Sequence, residues 1–228
     1  MNLLKVEFHC HTVFSKDSLT RPKTLVDVAR RKGIDRLIVT DHNSIGGALE
    51  AKQIDPELVI VGEEIMTTHG ELLAAFVREE IPSGLEPLEA IRRLRAQGAF
   101  ISVSHPFDQV RNGHWELADL LEITPLVDAI ETFNSRCMDM SPNLAAREFA
   151  RQHNLAGTVG SDAHTVLELG RASLRLDEFS DADGLRRVIR SGEEKVRLSS
   201  PLIHLTSRYA VMIKKLGLVS RPAVPGSE

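Results

Sequence analysis

Leu3-Leu-Lys-Val-Glu-Phe8 is a short, mostly apolar run, and it leads directly into His9-Cys10-His11. The same construction recurs down the chain. Arg36-Leu-Ile-Val-Thr40 runs into Asp41-His42, and Leu58-Val-Ile-Val61 into Gly62-Glu63-Glu64. Phe100-Ile-Ser-Val-Ser104 runs into His105-Pro106, Val127-Asp-Ala-Ile130 into Glu131, and Ala156-Gly-Thr-Val159 into Gly160-Ser-Asp162-Ala-His164. Apolar runs of about four to eight residues bounded by turn residues read as buried strands. Helical patterns lie between them. Leu25, Val26, Val28 and Ala29 fit one helix face between Pro22 and Gly33, and Leu88, Ile91 and Leu94 repeat at helical spacing before Gly98. Further helices are expected at 48–53, 115–121, 144–153 and 185–190, an extended segment at 71–77, and a strand at 172–176. Strands alternating with helices imply right-handed βαβ units and a mostly parallel sheet. About seven such units fit a compact α/β barrel better than an open sheet, and no Gly-x-Gly-x-x-Gly follows the first strand.

The chain has 228 residues, 42% of them hydrophobic and 26% charged, with a formal net charge of −4. That suits one globular domain with an ordinary core, and it disfavours a strongly basic nucleic-acid glove. With one Trp and one Tyr, stacking surface is scarce. No apolar run approaches the roughly 18–20 residues of a membrane span, so stable membrane insertion is not expected. The first residues do not read as a signal peptide, and Cys10 and Cys137 are no disulfide framework, so a reducing cytoplasm is the expected setting. The expected division is a domain over 1–198 and a C-terminal helix and tail over 199–228. Residues 202–216 suit an amphipathic helix, either docked on the barrel or facing a membrane or partner. The end from Pro222 onward looks frayed.

Imidazoles and carboxylates close nearly every expected strand, and in a β/α barrel chemistry sits at the C-terminal strand ends. Singly, each has a plain structural reading: a lone His is usually a satisfied residue, and Asp41 or Asp162 could cap a helix. Side-chain alternation places His9 and His11 on one face and turns Cys10 away as a packing residue. Taken together they form a metal cluster. Nitrogen and oxygen donors without thiolates suit Zn, Mn or Fe, and so many donors suit two or three divalent ions, with Glu64 able to bridge a pair.

The string His9-Cys-His-Thr-Val-Phe-Ser-Lys-Asp17-Ser18, then Thr40-Asp-His-Asn43, Gly62-Glu-Glu64, Ser104-His-Pro106 and Gly160-Ser-Asp-Ala-His164 resembles the PHP (polymerase and histidinol phosphatase) superfamily of metal-dependent phosphoesterases, in its small stand-alone form. The resemblance implies a distorted (β/α)7 barrel with the metal site at the C-terminal ends of the strands. It implies one ion held by His9, His11, Glu64 and Asp162, a second bound by Glu64 and His105, and a third by Asp17, His42 and His164. One stretch departs from the pattern. Where many members read Gly-His-Leu-Leu, this chain reads Gly70-Glu71-Leu72-Leu73 with His69 just before it. Either Glu71 replaces the His ligand or the second ion is less fully enclosed, and strand geometry alone does not choose Glu71 over His69. Glu131 is either a ligand or an orienting group behind one.

The implied reaction is hydrolysis of a phosphate ester by a metal-bridging hydroxide, with Glu64 and Asp162 at its centre. Asp41 orients a histidine, serves as a proton shuttle or is a structural cap. Arg136 with Asn134 is the expected phosphate contact, because a guanidinium matches phosphate oxygens in a bidentate way, and a salt bridge is the alternative for Arg136. The expected substrate is a phosphorylated small molecule, a nucleotide or an oligonucleotide end. Two other readings compete: a non-catalytic metal-binding module for a partner, favoured only by Glu71, and a metal-dependent amidohydrolase, disfavoured because no Lys stands where a bridging carboxylated Lys would.

Overall fold

In the computed structural model, which describes residues 3–220 and 222, the first run forms β1 (Leu4–Glu7) and Pro22 opens α1 (Pro22–Arg31). Proline suits a first helical turn because its missing N–H has no partner to lose there. The helix ends just before Gly33, whose φ of 63° is the left-handed conformation that favours glycine. Next come β2 (Arg36–Val39), α2 (Gly46–Ile54) and β3 (Val59–Met66). The third strand was expected to stop at 61. It continues through the carboxylates to Met66 and turns back as β4 (Glu71–Ala75). The chain then runs through α3 (Pro87–Ala96), β5 (Phe100–Val103), α4 (Leu117–Ile123), β6 (Ala129–Asn134), α5 (Ser141–Gln152) and β7 (Ala156–Gly160). It finishes with β8 (Ala172–Leu176), α6 (Ala182–Val188), β9 (Glu193–Val196) and α7 (Ile203–Lys215).

The strands form one sheet in the order β7-β6-β5-β4-β3-β2-β1-β8-β9. Parallel ladders join β1 to β2, β2 to β3, β5 to β6 and β6 to β7. β4 is antiparallel to both neighbours, and β8 and β9 extend the sheet antiparallel beyond β1. The expectation of a mostly parallel sheet therefore fails at β4 and again at β8 and β9, so that four ladders are parallel and four antiparallel. Only 67–70 separate β3 from β4, enough for a hairpin, whereas a parallel crossover needs about a dozen residues or more. β9 was not expected at all. Its Glu193, Glu194 and Lys195 are all exposed, and charged side chains on an edge strand resist further pairing.

Past β1 the chain stays extended. The His11 amide donates to the Ala163 carbonyl at 2.9 Å, and the Ala163 amide to the His9 carbonyl at 3.2 Å. This bridge joins the extension of β1 to the segment after β7 and nearly closes the sheet into a β/α barrel. Alternation then divides the core. Val6, Phe8, Ile38, Ile60 and Phe100 fill the barrel with Leu185 of α6, while Leu37, Val39, Val59 and Ile101 pack outward with Leu25, Ile91 and Leu94 of the helices. Among the described residues no helix is long and apolar enough to cross a membrane. α7 lies within the expected helical stretch 202–216. The expected frayed end lies, apart from Pro222, outside the described residues.

Candidate metal centre

The strand ends meet at one mouth of the barrel. Alternation breaks between Phe8, which faces the interior, and Cys10, which packs in the outer layer with its Sγ 3.5 Å from the Ile38 carbonyl. His9 and His11 therefore share the inner side, with ring centroids 5.1 Å apart. His9 Nε2 lies 3.3 Å from Glu64 Oε1 and 3.6 Å from Asp162 Oδ1. His11 Nε2 lies 3.5 Å from Glu64 Oε2 and 3.2 Å from Asp162 Oδ1. His42 Nδ1 approaches Glu64 Oε2 at 2.9 Å and Glu71 Oε1 at 3.6 Å. His105 Nε2 stands 3.2 Å from Glu64 Oε1 and 3.3 Å from Glu71 Oε2. Asp17 Oδ2 is 3.1 Å from His164 Nε2 and 3.6 Å from His42 Nε2. Glu64 thus touches four imidazoles from three strand ends.

A surrounding set of groups fixes how these donors point. His9 Nδ1 donates to Glu131 Oε1 at 2.9 Å, His11 Nδ1 to Ser15 Oγ at 3.0 Å, and His164 Nδ1 to the Asp162 carbonyl at 2.9 Å. Each bond engages the Nδ1 proton and aims Nε2 into the cluster, the orientation a metal ligand needs. Against burial, Glu64, Asp162 and Glu131 raise the His9 pKa well above that of a free imidazole, so an ion entering there displaces a proton from its Nε2. Gly160 makes room for the first of these pairs: a Cβ there would come 2.2 Å from Glu131 Oε1 and 2.5 Å from His9 Cβ. His105 and Asp162 both hold positive φ, 20° and 50°, a strained backbone of the kind that gathers at functional sites.

Electrostatics give the clearest test of whether ions fit. His9 Nε2, His11 Nε2, His164 Nε2, Asp17 Oδ1, Glu64 Oε2 and Asp162 Oδ1 are buried without a hydrogen-bond partner. Leaving so many buried polar atoms unpaired is costly, and unpaired groups of this kind mark a missing ion or water. Burial opposes the charge on Glu64, yet His9 and His42 hold its carboxyl well below the usual range. Asp162 is likewise held low against burial, chiefly by Arg111 and His9. Burial and the neighbouring His164 and His42 keep His11 neutral, with a pKa well below that of a free imidazole. The donors fall into three overlapping groups, His9/His11/Glu64, His11/His42/His164 and His42/Glu64/Glu71, each within 4.8 Å across. Small side-chain movements bring such groups onto ions with ligand distances of about 2.0–2.2 Å. The residues present fit divalent cations.

Several expected roles change in the structure. Asp41 is fully buried, and its oxygens accept from the Thr12 amide and hydroxyl at 2.6 Å each and from the Ser15 amide and hydroxyl at 3.1 and 2.5 Å. With both oxygens occupied it is a clamp on the turn 12–15 and not a proton shuttle, and through Ser15 Oγ it stands behind His11 Nδ1. Arg136 is buried: its Nε lies 3.3 Å from Glu168, and Nη2 donates to Ser207 Oγ at 2.8 Å, so its charge is committed to holding the structure together. Asn134 Nδ2 donates to Glu131 Oε2 at 3.0 Å and Asp162 Oδ2 at 3.1 Å, which makes it an orienting group for carboxylates and not a phosphate contact. Glu131 spends Oε1 on His9 and Oε2 on the His105 amide and Asn134, the arrangement of a group that orients a ligand. His69 sits in the hairpin turn against Thr68, outside the cluster, while Glu71 lies inside it.

Arg111 is the residue that sequence reasoning missed. It lies in the loop after His105, bonds Asp162 Oδ2 through Nη1, and reaches Asp108 at 3.0 Å and Asn134 Oδ1 at 3.3 Å. No periodicity marks that loop, and only its Asp108/Arg111 spacing hints at an internal ion pair. Arg111, His42, Glu71 and His164 line a cleft of about 780 Å³ whose walls include Met66 and Leu205.

Comparison with known proteins agrees with this geometry. A family model described as the PHP domain matches residues 7–92, and one described as PHP-associated matches 141–194. An uncharacterized protein of Methanocaldococcus jannaschii is 37% identical over 180 residues, which are 78% of this chain and 72% of that protein. A second from the same organism is 35% identical over 145 residues, 58% of this chain and 82% of the relative. A two-domain protein of Bacteroides vulgatus, described as containing a predicted PHP-like metal-dependent phosphoesterase, shares the fold with a TM-score of 0.70 at 22% identity, covering 86% of this chain and 67% of that one.

Proposed function

The chain belongs to the PHP superfamily, and on that premise we propose that it is a metal-dependent phosphoesterase that hydrolyses a phosphate ester at the mouth of its barrel. One observation carries the proposal: six buried, unpartnered nitrogen and oxygen atoms from the loop after β1 and the ends of β1, β3 and β7 converge there. His9, His11, Glu64 and Asp162 would hold one ion, Asp17, His42 and His164 another, and Glu64, Glu71 and His105 a third. Such ions supply Lewis acidity toward phosphoryl oxygens and lower the pKa of water.

The chain's own residues supply orientation and charge. Glu131, Ser15 and the Asp162 carbonyl fix three imidazoles in the ligating orientation. Asp162 divides its oxygens, Oδ2 to Arg111 and Asn134 and Oδ1 toward His9 and His11, so it keeps a guanidinium beside the cluster. Arg111 and Arg136 both line the cleft, but the Arg111 side chain is 21% exposed and that of Arg136 only 4%, so Arg111, through the second N–H of Nη1 or Nη2, is our candidate for binding a non-bridging phosphate oxygen, the part earlier expected of Arg136. The cleft has the size of an ordinary small-ligand pocket and suits a small phosphomonoester, a nucleotide or a chain end.

The test is hydrolysis of p-nitrophenyl phosphate and bis(p-nitrophenyl) phosphate by chelator-stripped protein after separate addition of Mn, Zn or Fe. Turnover that requires metal supports the reading, and the monoester/diester ratio sorts the substrate class. Stoichiometric metal binding without turnover of either ester would favour a binding module.

A further inference from the structure

α7 lies beyond both segments matched by the family models, which end at residues 92 and 194. Yet it walls the cleft, contributing His204, Leu205, Ser207 and Arg208. Its packing is thin. Ala210 is its only buried residue, and Leu205, Tyr209 and Met212 are exposed. Polar bonds tie it down at two places. At one end His204 Nε2 donates to the Arg136 carbonyl at 3.1 Å, and Ser207 accepts from Arg136. At the other, Lys214 Nζ donates to the Val13 carbonyl at 2.7 Å and to the Ser15 carbonyl.

The second tie lands on the turn between His11 and Asp17. Asp41 grips that turn through the Thr12 and Ser15 amides, and Lys214 grips it through carbonyls. The backbone of Ser15 is thus pinned on both its N–H and its C=O. Ser15 Oγ orients His11 and accepts from the His42 amide. Asp17, two residues on, comes from a loop and not a strand end, so nothing in the sheet fixes its carboxylate against His42 and His164.

We propose that Lys214 is a positioning residue for Asp17, so that α7 is a working part of the metal centre. This rests on the reading of the cluster as a metal site. The test is Mn titration with chelator competition, read as stoichiometry and affinity without any activity assay, on wild type, Lys214→Met, Lys214→Arg and Lys215→Met. Lys214→Met weakens one ion of the set, the one Asp17 would hold with His42 and His164, by about 10–100-fold, the usual effect of losing an outer partner of a ligand. Lys214→Arg, which still donates to carbonyls, recovers most of that affinity, and Lys215→Met matches wild type. Should Lys214→Met not fold by circular dichroism, Lys214→Gln is titrated the same way and is expected to bind that ion more weakly than wild type and Lys214→Arg do. Unchanged Mn affinity in the folded variant, or a uniform loss over all ions, overturns the positioning role and leaves the phosphoesterase reading intact. Wild type that binds no Mn, Zn or Fe removes both.

Discussion

The parallel part of the barrel and the β3–β4 hairpin deliver ligands by opposite routes. In the parallel strands the donors come after the strand: His9 and His11 past β1, His42 past β2, His105 past β5, Asp162 past β7. In β4 the donor is the first residue, Glu71, because that strand runs the other way, paired antiparallel with Met66 opposite Glu71. Both routes end at the same mouth. Position along the barrel axis, not direction along the chain, decides which residue is a ligand. The hairpin also carries the residue at the centre of the cluster, Glu64, so reversal of one strand puts two carboxylates against His42 and His105.

The comparison breaks most sharply at Glu64, which touches His9, His11, His42 and His105. Glu64→Gln removes the charge and turns an amide donor toward imidazole nitrogens that need an acceptor or an ion. Metal affinity is expected to fall by more than about 100-fold, beyond the usual cost of losing an outer partner, and metal-dependent turnover with it. Chelator competition reads the first effect and ester hydrolysis the second. Retention of all ions would remove Glu64 from the centre.

Glu71 meets only two imidazoles, so its loss costs less. Glu71→Gln is expected to weaken one ion by about tenfold, while Glu71→His, the residue of the resembled Gly-His-Leu-Leu pattern, restores affinity. Equal loss in both would mean that the hairpin needs the negative charge and not merely a donor. Gly160→Ala probes the parallel side, where its Cβ would press on Glu131 Oε1 and His9 Cβ. Overpacking of this kind costs about 1–3 kcal/mol, to be read from denaturant unfolding, with a smaller loss of metal affinity as His9 turns. Wild-type stability would show that the β7–β1 seam yields.

The parallel side was legible in the sequence because each strand announces its ligand at its own end. In the hairpin Glu64 was legible in the same way, but Glu71 was not, since strand-end reasoning looks in the wrong place for it and only the resemblance pointed to it. Asp41 beside His42, and Asn134 and Arg136 beyond Glu131, were read as site groups because they are polar and near ligands. Folding turns Asp41 into the 12–15 turn and Arg136 under α7 instead. Arg111 escaped notice because a loop has no period, and what brings it to Asp162 is the path of residues 106–114 over the mouth.

The two faces of β3 offer the last and finest contrast. Glu63 and Glu64 are neighbours, and alternation sends them to opposite sides. Glu64 is charged among imidazoles. Glu63 is buried behind the sheet, accepts only the Ile81 amide at 2.9 Å, and its pKa is raised to about 8, first by burial and then by Glu80. An unfolded chain releases that proton near pH 4.5, so between about 4.5 and 8 the native state holds a proton that the unfolded state has lost. Stability therefore falls as pH rises through that window, by up to roughly 1.4 kcal/mol per pH unit from this group. Glu63→Gln keeps an acceptor for Ile81 and removes the titration. In chelated protein the variant and wild type are expected to unfold alike near pH 4.5, with the variant gaining on wild type up to pH 8, on the order of a few kcal/mol at most. Parallel stability curves would mean that water reaches the outer carboxyl, and that the contrast between the two faces of β3 is one of partners and not of burial.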